Sequence, residues 1–134
     1  MAYLRFVISA DHPDSGVADG VFRTAYKLRD DPRVSTTDRE LLAEQLAWFS
    51  ANLQVPKRFN RSTSKGYYRR KTKGIAWLRD DAREHLTRMF EIKRVLEAND
   101  YTVHLLREDR VGYIIYSDEV QVIAEPFADT RTSG

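Results

Sequence analysis

The chain has 134 residues, 42% of them hydrophobic, with no cysteine and with 22 basic against 20 acidic side chains. That length and apolar share fit one domain, residues 1–134, with a core of its own, and exclude a disordered chain. Disulfides and thiolate metal ligands are excluded too, and no apolar run approaches the ~20 residues needed to cross a bilayer.

Tyr3 to Ser9 alternates Leu4, Phe6 and Ile8 against Tyr3, Arg5 and Val7. This period of two predicts a short strand. His12-Pro-Asp-Ser-Gly16 has turn composition. Val17, Val21, Ala25 and Leu28 then recur at helical spacing, which predicts a helix over 17–29 that Pro32 ends. A second helix is expected from Thr37, with Glu40 completing a capping box. Leu42, Leu46, Phe49 and Leu53 form its buried stripe, Leu41 and Trp48 widen it, and Pro56 closes it.

A third helix is expected from about Arg79 to Ala98. Leu78, Ala82, His85, Met89, Ile92 and Leu96 step by four and three in turn, and Asn99-Asp100 forms a stop. From Tyr101 the period returns to two. Tyr101–Leu106, Tyr113–Tyr116 and Val120–Glu125 read as strands, with a tight connection at Ser117-Asp118-Glu119. Pro126 ends the last one, because proline donates nothing to a ladder. Residues 128–134 are expected to be a frayed tail. The order is β-α-α-basic loop-α-β-β-β. It predicts an α+β fold with about three helices on one face of an antiparallel sheet of three to four strands.

The charge is unevenly spread. Lys57, Arg58, Arg61, Lys65, Arg69, Arg70, Lys71 and Lys73 fall within 17 residues that hold no acid. Without these eight the chain has 14 basic against 20 acidic side chains, a net of −6. A mildly acidic body thus carries a strongly basic insert, residues 57–74, between two amphipathic helices.

Several phrases are shared with a known group. They are Gly20-Val21-Phe22 with Ala25-Tyr26, Leu46-Ala47-Trp48-Phe49 with Asn52-Leu53, Ala76-Trp77-Leu78, and Gly112-Tyr113-Ile114-Ile115-Tyr116-Ser117-Asp118-Glu119. In these the chain resembles a group of small bacterial proteins with no assigned activity, over roughly residues 16–127. The resemblance implies a bacterial or phage-related source and one compact domain. It supplies no site residues.

Arg and Lys neutralise phosphates and release counterions, so the basic segment predicts salt-dependent affinity for nucleic acid. Tyr67 and Tyr68 lie among these cations, where rings stack on unpaired bases at ~1–3 kcal/mol each. Arg69, Arg70, Lys71 and Lys73 are the expected phosphate contacts. One plain alternative is a solvated loop that keeps the protein soluble, and a second anchors Tyr67, Tyr68 and Trp77 in the core. Against these stand other candidates. His85 lies on the inner stripe of the third helix and reads as a hydrogen-bonded, partly buried residue. His104 points to the strand face opposite Val103 and Leu105. Neither pairs with His12 at metal-ligand spacing, so no metal or cofactor is expected. Asp80, Asp81 and Glu84 suit a helix start. Glu91-Ile92-Lys93 matches half of a nuclease signature but sits on a helix, not the strand that chemistry needs. Ser62 and Ser64 have no paired base.

The leading expectation is a non-enzymatic protein that contacts the nucleic-acid backbone through 57–73. One alternative is an interaction module, an inhibitor or adaptor, for an acidic protein. Another is a small enzyme acting on a nucleotide or phosphorylated substrate. A half-apolar second sheet face also leaves a homodimer open. The protein is expected in the cytoplasm, because its start lacks the charged n-region and long apolar core of a signal peptide.

Overall fold

The computed structural model describes residues 1–11, 18–54 and 74–127. The basic residues Lys57 to Lys73, with Tyr67 and Tyr68, lie outside them, as do His12, Ser62, Ser64 and residues 128–134.

Among the described residues nine elements follow in order: β1 (Tyr3–Asp11), β2 (Ala18–Gly20), α1 (Val21–Arg29), α2 (Thr36–Asn52), β3 (Ile75–Arg79), α3 (Arg83–Ala98), β4 (Val103–Glu108), β5 (Tyr113–Ser117) and β6 (Gln121–Glu125). The class is α+β, with an all-antiparallel sheet. The sheet is wider than three or four strands, because two segments behave differently from their sequence pattern. Ile75–Arg79 forms β3, so Leu78 is a strand residue and α3 begins only at Arg83. The apparent helical step from Leu78 to Ala82 bridges a turn at Asp80-Asp81, where the Ala82 N–H reaches the Arg79 carbonyl at 3.1 Å. Ala18–Gly20 forms β2, which takes the first turn expected of α1.

β1 sits at the centre of the sheet. Along one side it pairs with β4 without a break, from Tyr3↔Glu108 to Ile8↔Val103. Along the other it pairs first with β3, at Tyr3↔Arg79 and Leu4↔Leu78, and then with β2 from Val7↔Gly20. β3 continues into β6, and β6 into β5. Leu4, Phe6 and Ile8 alternate with Val7, all four buried, so both faces of β1 carry core.

The three described helices cover one face. Val21, Ala25 and Leu28 of α1, Leu42, Leu46 and Phe49 of α2, and Met89, Ile92, Val95 and Leu96 of α3 meet Phe6, Ile8, Leu78 and Val103. The N-cap of α2 lies two residues earlier than expected. Ser35, not Thr37, is the N-cap, and its Oγ accepts the Asp38 N–H at 3.2 Å. α3 ends on Asp100 at φ 72, with the Tyr101 N–H on the Leu96 carbonyl at 3.1 Å. That is the left-handed C-terminal cap, which glycine fills at lower cost.

The second face holds Val7, Ile75, Trp77, Leu106, Val111, Val122 and Ala124, and among the described residues no helical one belongs to this cluster. Curvature of the sheet explains its burial. β4 and β5 lie on opposite edges, at opposite ends of their strands, yet only residues 109–112 join them. In a flat sheet the two ends would stand about 19 Å apart across the strands, plus a strand length along them. Five Cα steps reach at most about 19 Å. The sheet therefore coils until these corners approach, and Val111, 2% exposed, drops into the hollow. Gly112 makes the crossing possible. Its φ is 126, and a Cβ there would lie 2.0 Å from the Glu125 carbonyl oxygen.

Two substitutions test these backbone sites. Gly112→Ala is expected to destabilise by at least about 2 kcal/mol, since strain and overlap add. Asp100→Gly is expected to stabilise by about 1 kcal/mol. Thermal and denaturant unfolding of both variants measures these changes; a neutral Gly112→Ala would remove the crossing argument.

Candidate functional site

A hydrogen bond and the β3–β6 register fix the surroundings of the residues that flank the basic segment. Gln54 follows α2, and its backbone carbonyl accepts Gln121 Nε2 at 2.7 Å. Gln121 is 3% exposed and opens β6, opposite Leu78 of β3. Gly74 lies four residues before Leu78, hence about 13 Å along β3 at the usual rise. The segment 55–73 therefore leaves and rejoins the fold at one end of α2 and one side of the sheet. Its nineteen residues are far more chain than that gap needs.

A polar network fixes the departure point. Asp118 Oδ1 accepts the Val120 and Gln121 N–H groups, each at 2.9 Å. Its Oδ2 accepts Tyr116 Oη at 2.8 Å and Gln121 Nε2 at 3.4 Å. Tyr116 Oη also lies 3.3 Å from the Gln54 side chain. One carboxylate thus closes the β5–β6 hairpin and orients the glutamine that holds Gln54. Burial alone would raise the Asp118 carboxyl. The backbone N–H groups of Val120 and Gln121, with the Tyr116 and Gln121 side chains, outweigh it and leave the group below its usual range. The same hydrogen bond raises the Tyr116 hydroxyl, with burial and the adjacent charge adding to it.

A second feature adjoins this network. After Leu4↔Leu78, β3 splays away from β1. The Ala76 carbonyl is then met by Arg5 Nη1 at 3.1 Å instead of a backbone N–H. The guanidinium also reaches toward Gly20, the N-cap of α1, where a Cβ would sit 3.9 Å from Nη2. Behind the split is a cavity of about 80 Å³, lined mainly by Leu4, Phe6, Val21, Phe22, Leu53 and Met89, with Gln121 at its edge.

The candidates outside the basic segment take ordinary structural roles. His85 is buried, with Nε2 2.9 Å from the Asn52 carbonyl oxygen, which assigns the proton to Nε2. Its ring stands edge-on to Trp48 at 4.7 Å, and Arg88 covers the same indole at 4.3 Å. His85 thereby ties α3 to the end of α2. His104 is half-buried on β4, opposite Val7. Glu91 pairs with Arg94 at 2.8 Å and Lys93 with Glu97 at 2.8 Å, so the Glu91–Lys93 motif is divided between two surface ion pairs. Asp80 accepts the Ala2 N–H at 3.1 Å, Glu84 meets Arg88 at 3.1 Å, and Asp81 meets Arg79 at 3.8 Å. Among the described residues no group of three or more His, Asp or Glu could hold a metal ion, and no helix is long and apolar enough to cross a membrane.

The ten expected contact residues, Lys57, Arg58, Arg61, Lys65, Tyr67, Tyr68, Arg69, Arg70, Lys71 and Lys73, all lie outside the described residues. Sequence reasoning missed Arg5, Gln54, Tyr116 and Gln121. Only Asp118 carried a signal, as an Asp at a hairpin connection.

No protein-family model, curated protein or solved structure matches the chain.

Asp118 gives a test with a defined sign. Its folded-state carboxyl is lowered, so it stabilises the fold above the ordinary Asp value of ~3.9 and loses that contribution as pH falls through and below it. Asp118→Ala is expected to cost about 1–3 kcal/mol at neutral pH, by leaving the hairpin N–H groups unmet. The difference from the native chain should shrink on acidification. Urea unfolding from pH 7 to 3 measures both; a gap that widens in acid would contradict the assignment.

Proposed function

We propose that this chain is a non-catalytic nucleic-acid-binding protein that contacts the phosphate backbone through residues 57–73. The observation that carries the reading is eight basic residues without an acid, set in a chain whose remainder is net −6. The cations of the described body are largely engaged at home. Arg29, Arg33, Arg88, Lys93 and Arg94 each meet a carboxylate within four residues in sequence. Such surface pairs contribute little stability, but they lower the charge available to a polyanion. The basic segment is thus the main reserve of uncompensated positive charge in the sequence.

In this reading Arg69, Arg70, Lys71 and Lys73 neutralise phosphates, while Lys57, Arg58, Arg61 and Lys65 extend the track. Tyr67 and Tyr68 stack on unpaired bases, which favours single strands over duplex. The stems at Gln54 and Gly74 support it, because they adjoin α2 and β3. The setting that goes with this reading is a bacterial cytoplasm, supported by the family resemblance and by the absence of cysteine.

Fluorescence anisotropy with a labelled single-stranded oligonucleotide, repeated over a salt series, tests the proposal. Affinity should fall with salt on a log–log slope on the order of −4 to −6, as six to eight phosphate contacts imply. Exchanging Arg69, Arg70 and Lys71 for Glu should remove binding. No binding at low salt, or binding indifferent to the triple exchange, ends the proposal.

A further inference from the structure

An aromatic surface lies beside the point where the basic segment rejoins the sheet. Tyr113 opens β5 and is 49% exposed. Its ring stands edge-on to Phe127 at 4.9 Å, and the Arg110 guanidinium covers the Phe127 ring at 4.9 Å from its centre. The fold holds these groups together through the backbone. Gly112 crosses so close to Glu125 and Pro126 that a Cβ there would overlap both. Residues 109–112 and Pro126-Phe127 are therefore packed main chain against main chain, and the Arg110–Phe127 pair is built on that contact.

The strand register places this surface next to the stem at Gly74. Ile75 of β3 pairs with Ala124 of β6, and Glu125 of β6 pairs with Tyr113 of β5. One step before Ile75, Gly74 comes level with Glu125, and so with Tyr113 across one intervening strand. Two strand spacings amount to about 10 Å. Gly74 also looks toward the β5–β6 side, since a Cβ on it would lie 2.9 Å from Ile123 Cγ2 and 3.1 Å from Ile115 Cδ1. A strand of about four or more nucleotides, the usual single-strand site, spans from that stem to the rings.

The charges of this surface select bases over phosphates. Arg29, Arg33, Arg88 and Arg94 each have a carboxylate partner. Arg110 is exposed, none of the carboxylates of the described residues pairs with it, and its guanidinium rests on a ring. Exposed Asp109 precedes it and repels a phosphate at this spot. Exposed rings and a ring-bound guanidinium instead offer stacking faces, which any base accepts. We infer that Tyr113, Phe127 and Arg110 form a base-stacking platform that continues the nucleic-acid site from the basic segment onto the β5–β6 edge. The inference rests on the proposed reading of residues 57–73: the segment holds phosphates, and the platform holds unpaired bases.

Two polyanions separate the two parts, a labelled single-stranded oligonucleotide and linear inorganic polyphosphate, which has no bases. The affinity of the full chain for each is measured by anisotropy and by titration calorimetry. Tyr113→Ala should weaken oligonucleotide binding about 5- to 100-fold, as loss of one stacked base implies. Its salt slope and its polyphosphate affinity should stay native, because no phosphate contact is removed. Tyr113→Phe should keep native affinity for both, and Arg110→Gln should weaken the oligonucleotide alone, by about 2- to 5-fold. If Tyr113→Ala fails to fold, Tyr113→Trp decides: the added indole emission should be quenched by the oligonucleotide and not by polyphosphate. A native chain that binds neither polyanion ends the reading of the basic segment and this inference with it. A native chain that binds, with Tyr113→Ala unchanged toward the oligonucleotide or weakened equally toward both, overturns the inference alone.

Discussion

The structure depends on β1 being paired along both sides. Six residues, Tyr3 to Ile8, hold β4 on one side. The other side is shared, first with β3 and then with β2. Because apolar side chains point to both faces of β1, it is a wall of the helical core and of the inner hollow at once. A one-residue slip would exchange these faces, turning Phe6 and Ile8 into the inner hollow and Val7 toward the helices. The change of neighbour beyond Leu4 also has a cost. It opens the sheet, and Arg5 replaces a lost ladder bond at Ala76.

That opening lies close to where the chain leaves and re-enters for the basic segment. α2 ends at Asn52, beneath the His85 ring, and Gln54 is held by Gln121. Gln121 is in turn set by Asp118 at the hairpin. The residues that anchor the stems are therefore neutral amides, a hydroxyl and one carboxylate. The anchoring uses short hydrogen bonds from buried or half-buried groups, which salt screens weakly, while long-range attraction for a polyanion would come from the segment itself. In the proposed reading, fold stability and phosphate affinity thus draw on different physical terms.

Much of the fold was legible in the sequence, for identifiable reasons. The stripes of α2 and α3 follow from periodicity, and Leu42, Leu46, Phe49, Met89, Ile92 and Leu96 are all buried as expected. β4 and β6 form as strands, but β6 is buried at all five residues and β4 buries Val103 and Leu106 while Leu105 is exposed. β3 was missed because Ile75 to Leu78 is short, follows the basic run directly, and ends at a residue in phase with the α3 stripe. β2 was missed because three residues carry no period. The centrality of β1 could not be read either, since pairing of Tyr3 with Glu108 or of Leu4 with Leu78 is a long-range choice. Gln121 and Glu125 are polar residues buried at the ends of a strand, where alternation predicts nothing about which polar groups are enclosed. The basic segment is the reverse case, clear in composition and outside the described residues.

The central claim is that an ordered scaffold and a phosphate-binding segment are separable parts of one chain. The direct test replaces residues 57–73 by a short Gly/Ser linker long enough to join the stems. The account predicts that the amide NMR spectrum of β1, β3 and β6 is retained while affinity for single-stranded nucleic acid is lost. Loss of the native spectrum, or binding that survives the replacement, would contradict it.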